Sequence, residues 1–129
     1  MAKTALELSQ KEWREYRPSR LLKAREERES EMMAQRKKGA WDLAKRAAHL
    51  LRKEFAAERV VVFGSLAHGH WFTPWSDVDL AAWGIPPERF YAAVAAVTDL
   101  SFSLKIDLID IETCRPTLKT IIEKEGIEL

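Results

Sequence analysis

Between residues 40 and 57, Trp41, Ala44, Ala48, Leu51 and Phe55 recur every three or four positions. That period places them on one stripe of a helix, with the charged residues between them turned to water. Upstream, Ser19 to Lys38 consists almost wholly of helix formers, with Leu21, Leu22, Ala24 and Met32 among them. Its apolar stripe is thin, so this helix is expected to be exposed on most sides or to cover a partner. Gly39 is a candidate interruption between the two patterns. Further back, Ser9-Gln10-Lys11-Glu12 has the form of a capping box. It predicts a short helix carrying Trp13 and Tyr16, ended or kinked at Pro18.

The rhythm changes at Val60-Val61-Val62-Phe63, a short, fully apolar, β-branched run that reads as a buried strand. Gly64-Ser65 ends it, and Leu66 to Gly69 reads as a turn or a short helix. His70 to Ser76 holds Pro74 and two tryptophans and reads as a loop. Val78 to Trp83 predicts a second strand. Pro86-Pro87 then opens a helix to about Thr98, with Phe90, Val94 and Val97 on one side. Lys105 to Ile111 alternates as a third strand. Arg115 to Glu125 is a last amphipathic helix with Leu118, Ile121 and Ile122 inward, and Gly126 sits where a helix C-cap belongs. Helix, strand, strand, helix, strand, helix implies an α+β fold, a small mixed sheet covered by helices. Residues 1–39 read as a helical extension and residues 40–129 as the domain proper.

Composition narrows the class. At 129 residues, 47% hydrophobic and 32% charged, the chain has the size and balance of one soluble globular domain. Its single cysteine, Cys114, excludes an intrachain disulfide, and with few histidines it argues against structural zinc. A reducing, cytoplasmic setting is expected, since no apolar leader opens the chain and no stretch is apolar enough for a membrane span. The net charge of +1 conceals an asymmetry. Residues 1–59 carry 16 Lys/Arg against 10 Asp/Glu, while residues 60–129 carry 5 against 10. A basic first half can meet nucleic acid or an acidic protein, but a solvated charged helix explains it more simply. Nucleic acid is ranked last among partners, because the basic surplus is modest and few aromatic residues interleave it.

Three signals carry candidate chemistry. Gly64 directly after a buried strand lets the backbone turn sharply and approach a ligand, and Ser65 can add N–H groups and a hydroxyl for a phosphate. Alone, this pair reads more simply as a plain turn. In Ser76-Asp77-Val78-Asp79-Leu80, Asp77 and Asp79 fall on one face of a strand start, two anions that repel unless a cation lies between them. Mg2+ is such a cation, usually held by one or two carboxylates plus substrate phosphates. Solvated residues at a strand start remain the alternative. Third, Asp107 lies between Ile106 and Leu108 in what reads as an inner strand, where an unpaired carboxylate is costly. An edge strand facing solvent would remove that cost. Asp110, nearer the strand end, reads as simply exposed. Taken together, three carboxylates can hold two ions roughly 3.5–4 Å apart, the clamp of an in-line displacement.

The run Gly64-Ser65-Leu66-Ala67-His68-Gly69 followed by Ser76-Asp77-Val78-Asp79-Leu80 resembles the signature of the polymerase-β-like nucleotidyltransferases, and most closely their minimal (MNT) members. Lys105-Ile106-Asp107-Leu108-Ile109 resembles their third-acid strand, and Ile122 to Ile127 the close of the family. The resemblance covers about residues 40–129. It implies transfer of a nucleoside monophosphate, usually AMP from ATP, to a hydroxyl, with pyrophosphate released. Asp77, Asp79 and Asp107 would be the catalytic and metal-binding residues for Mg2+, with Asp107 helping to deprotonate the acceptor. Gly64, Ser65 and Ser76 would bind the nucleoside triphosphate. The resemblance also implies a helical HEPN-type toxin as partner, so a homo- or hetero-oligomer with the antitoxin role on this chain. His68 stands where the family commonly has Arg, which grips phosphate in two-pronged fashion. A contact-only antitoxin with weak or no catalysis is therefore the rival reading. Arg89 and Lys105 are further phosphate candidates. His70, Trp71 and Trp75 fill the loop between the motif halves, with a surface role favoured over stacking on a base. His49 carries no assigned role, and Cys114, just ahead of a helix, is not read as a catalytic thiol.

Overall fold

The structure, a computed structural model, describes residues 17–69 and 72–129. The capping box at Ser9–Glu12, with Trp13 and Tyr16, lies outside the described residues, as do His70 and Trp71. The chain divides into two compact units, the first ending at Gln35 and the second running Arg36–Leu129.

Helix α1 spans Arg17–Phe55 without a break. Pro18 sits in its first described turn, where a missing N–H costs nothing, and the shorter helix predicted to end there lies outside the described residues. Gly39 does not interrupt α1. Glycine in a helix interior costs only about 1 kcal/mol against alanine, and the good helix formers on both sides outweigh that. In the first unit the described helix residues are exposed almost throughout, Leu21, Leu22 and Met32 included. One exposed i,i+4 pair, Arg25–Glu29 at 3.1 Å, supports it by about 0.3–0.5 kcal/mol.

In the second unit the apolar stripe of α1 is buried. Ala44, Ala48, Leu51 and Phe55 are joined there by Ala40, Leu43 and Ala47, while Trp41 is half-buried. After α1 come β1 (Arg59–Phe63), the one-turn helix α2 (Ser65–His68), β2 (Val78–Trp83), a 3-10 turn (Pro87–Arg89), α3 (Phe90–Thr98), β3 (Ile106–Asp110), α4 (Pro116–Glu125) and β4 (Ile127–Glu128). They form a four-stranded mixed sheet in the order β3-β2-β1-β4. β1 runs antiparallel to β2 and β4, and β2 runs parallel to β3. The parallel pair needs a crossover, which the 3-10 turn and α3 supply, with Ala93 and Val97 of α3 buried. Phe90 and Val94, read as part of that inward side, are only half-buried.

Both faces of β1 are covered, which is why its sequence is a continuous apolar run. On one face Val61, Phe63 and Ala81 pack with Ile111 and Ile122, flanked by the half-buried Trp83, Ile109, Cys114 and Leu118. Ile121, read as inward, is 49% exposed, since α4 turns only a narrow stripe to the sheet. Gly126 is not a left-handed cap. Its backbone is extended, and it leads into β4. A Cβ there would strike Val61 and lie 2.5 Å from the Ile122 carbonyl oxygen, so glycine is required by space rather than by dihedral angle. The result is an α+β fold, a small mixed sheet with helices and a long N-terminal helix, as the sequence pattern predicts. Among the described residues no helix is long and apolar enough to cross a membrane.

Candidate active site

β1 delivers the chain to Gly64, which turns it with φ 72° and ψ −150°. Residues with a side chain hold such a conformation only at a cost of about 1–3 kcal/mol. Space forbids a side chain here as well, because a Cβ would strike the Asp79 carboxylate and lie 3.3 Å from its Cγ. Backbone and carboxylate therefore meet without a methyl group between them. The following turn is closed by hydrogen bonds from the His68 N–H to the Gly64 carbonyl (3.1 Å) and from the Gly69 N–H to the Ser65 carbonyl (2.9 Å). Buried Leu66 anchors this turn, and Ser65 stays half-buried at its start.

Register then collects the acids. Asp79 lies opposite Phe63 on β1 and opposite Asp107 on β3. Asp77 precedes it by two residues and shares its face. The Val78 N–H donates to the Lys105 carbonyl at 2.8 Å, which fixes the starts of β2 and β3 side by side. Asp79 is the crowded member. Its carboxyl is pushed up from the ordinary 3.8 to about 6, first by burial, then by the negative charges of Asp107 and Asp77. β3 is an edge strand and Asp107 is exposed, which corrects its placement on an inner strand. Solvent carries much of the cost assigned to Asp107, and the penalty falls on Asp79 instead.

The donor set suits a hard divalent cation, being carboxylate oxygen at a strand mouth beside a backbone turn that no side chain fills. Among the described residues no three His, Cys, Asp or Glu side chains converge as a ready-made cage. Mg2+ is usually held by one or two carboxylates, with waters and substrate phosphates completing its shell, so such a cage is not needed.

The remaining candidates lie as follows. Ser76 closes the loop before β2, its Oγ accepting from the Thr73 N–H at 2.8 Å. Trp75, on that loop, is 88% exposed. His68 Nε2 pairs with Glu125 Oε2 at 2.9 Å, which ties α2 to the end of α4. Arg89 lies 4.8 Å from the Phe55 ring centroid and is packed there instead of at the carboxylates. Lys105 is exposed at the start of β3. Asp110 is half-buried, its Oδ1 accepting from the Glu112 N–H at 3.0 Å. Lys37 of α1 donates from Nζ to the Gly69 carbonyl at the end of the turn. Sequence reasoning missed Lys37 and Glu125. Each arrives from far along the chain, 32 and 57 residues from its partner, and no local pattern marks it.

The profile of the family described as Polymerase beta, Nucleotidyltransferase matches residues 45–129, more than half of the chain. No curated protein sequence matches it. Among solved structures, a toxin–antitoxin with AMP-PNP aligns at 19% identity and a TM-score of 0.52, over 62% of this chain and 66% of that one. The chain thus spans just under two thirds of that relative's length. The toxin–antitoxin MntA-HpeT, in a mutant form, aligns at 16% identity and a TM-score of 0.54, over 66% of this chain and 70% of that one. A candidate minimal nucleotidyltransferase aligns at 25% identity and a TM-score of 0.47, over 77% of this chain and 94% of that one. The likeness to the two toxin–antitoxin structures is one of fold. The chain belongs to the polymerase-β nucleotidyltransferase family.

Proposed function

We propose that this protein is a Mg2+-dependent nucleotidyltransferase that moves AMP from ATP to a hydroxyl on a partner protein. The observation that carries this reading is Asp79, flanked by Asp77 and Asp107 and set against the bare backbone of Gly64. Acids crowded in this way destabilise the free fold, and a cation with its phosphate ligands would relieve them.

Asp77 and Asp79 would hold the metal and the triphosphate, and Asp107 would complete a second metal position. Gly64 and Ser65 offer backbone N–H groups to the outer phosphates, and Ser76 binds the nucleotide at the start of β2. Bound Mg2+ supplies charge neutralisation of carboxylates and phosphates and polarises the phosphoryl oxygens. The acceptor hydroxyl attacks the α-phosphorus, its proton passing to an Asp107 carboxylate oxygen. A new P–O bond to the acceptor forms as the bond to the β-phosphate oxygen breaks, and pyrophosphate leaves with its electron pair.

Two neighbours in fold are described as toxin–antitoxin proteins, one of them with AMP-PNP, which supports ATP as donor and a toxin as partner. The partner we infer is a HEPN-type toxin, met in the cytoplasm in a hetero-oligomer. The nucleotidyltransferase domain we assign to residues 40–129, with residues 1–39 as an extension ahead of it. A second reading, an antitoxin acting by contact alone, draws on His68, whose imidazole is engaged by Glu125.

The test is label transfer from ATP in the presence of Mg2+ and the co-expressed partner. Label at the α-phosphate should become covalently protein-bound while γ-label leaves as pyrophosphate, and Asp79→Asn should abolish both. Toxin neutralisation by wild type and Asp79→Asn alike, with no label transferred, would replace the enzyme with the contact-only antitoxin.

A further inference from the structure

We propose that Lys37, on the helix that precedes the sheet, is a phosphate-binding residue of the nucleotide site, supplying a positive charge to the triphosphate. The inference rests on the reading of the site as an ATP site and adds a residue to it. The family match begins at residue 45, so Lys37 comes from outside the matched segment.

The site is rich in negative charge. Asp77, Asp79 and Asp107 share the strand mouths, and Glu125 brings a fourth carboxylate onto His68. A triphosphate adds more. Two arginines of the sheet unit are committed elsewhere: the Arg89 guanidinium lies over Phe55, and Arg59 lies over Trp83 and pairs with Glu128 at 2.9 Å, while Lys105 is exposed at the start of β3. Lys37 is different, since its ammonium rests on the Gly69 carbonyl, at the end of the turn that begins at Gly64-Ser65. Gly69 carries no side chain to shield it, and a Cβ there would lie 3.5 Å from Nζ. An ammonium has three donors, and the Gly69 carbonyl uses one. Four residues of helix rise about 6 Å, so a modest swing of the four-carbon stem carries Nζ from Gly69 toward the start of the turn. Because Lys37 is half-buried, its charge is screened less than one on the open surface.

The experiment is calorimetric titration of the full chain with Mg-ATP and with AMP, for wild type, Lys37→Gln and Lys37→Arg. Glutamine keeps a donor for the Gly69 carbonyl but loses the charge, which separates phosphate binding from capping of the turn. Expected is a roughly tenfold weaker Kd for Mg-ATP in Lys37→Gln, equal to about 1.4 kcal/mol, with AMP within twofold of wild type. Lys37→Arg should retain ATP affinity. Unchanged ATP binding by Lys37→Gln, or equal losses for ATP and AMP, would overturn the proposal. Wild type that binds no ATP would overturn the nucleotide-site reading itself, and that outcome is visible before any substitution is compared.

Discussion

Replacing Asp79 with Asn should stabilise the metal-free protein, although it removes a residue from the site. In the fold the Asp79 carboxyl titrates near about 6 instead of the ordinary 3.8. At 1.36 kcal/mol per pH unit, that difference is worth about 3 kcal/mol between the two protonation states. Asp79 is only half-buried, and solvent screens the charges of Asp107 and Asp77, so about 1–2 kcal/mol is the defensible share. The sign follows from linkage. The folded pKa lies above the unfolded one, so the fold holds a proton that the unfolded chain releases. Stability is full below pH 3.8, falls as pH rises, and reaches its lower level above about 6. Asparagine carries no such burden. With chelator present at pH 8, Asp79→Asn should melt at least ~4 °C above wild type, since each 1 kcal/mol moves Tm by about 4–8 °C in a unit of this size. The gap should narrow toward pH 4. Added Mg2+ and ATP should reverse the ranking, because only wild type binds them. A variant less stable than wild type at pH 8, or a gap that ignores pH, would refute the electrostatic reasoning.

Other substitutions probe the backbone. Gly39→Ala should stabilise by about 0.5–1 kcal/mol in denaturant titration, because Gly39 is an exposed helix-interior position where a Cβ meets nothing within 4 Å. Gly126→Ala should destabilise by about 1–3 kcal/mol, read from the same curves, since its Cβ would overlap Val61 and the Ile122 carbonyl. Gly64→Ala should cost about 1–3 kcal/mol from its φ of 72° and should also displace the Asp79 carboxylate, so Mg-dependent ATP binding should fall further than stability does.

The β-branched run at Val60–Phe63 and the alternation at Ile106–Asp110 were legible within a residue or so, because sheet burial writes those patterns locally. So was the proximity of Asp77 and Asp79, which follows from the two-residue period of a strand. β4 was not legible. It is two residues long, and it exists through its pairing with Val61 and Val62. Gly126 does stand at the helix C-cap, but with an extended backbone, and the close approach of Val61, which no local pattern shows, is what demands glycine there. Gly39 reads as a break by local propensity, but helix cooperativity carries α1 through it. The edge position of β3, and with it the exposure of Asp107, depends on strand order, which no local pattern encodes. Lys37 at Gly69 and Glu125 at His68 are contacts made only by the folded chain.

The most direct measurement is ATP binding by calorimetry, with and without Mg2+, for wild type and Asp79→Asn. Expected is binding by wild type that requires Mg2+ and disappears in Asp79→Asn while the variant remains folded. Equal binding by both proteins, or no binding by wild type, would contradict a metal–nucleotide site built on Asp77, Asp79 and Asp107.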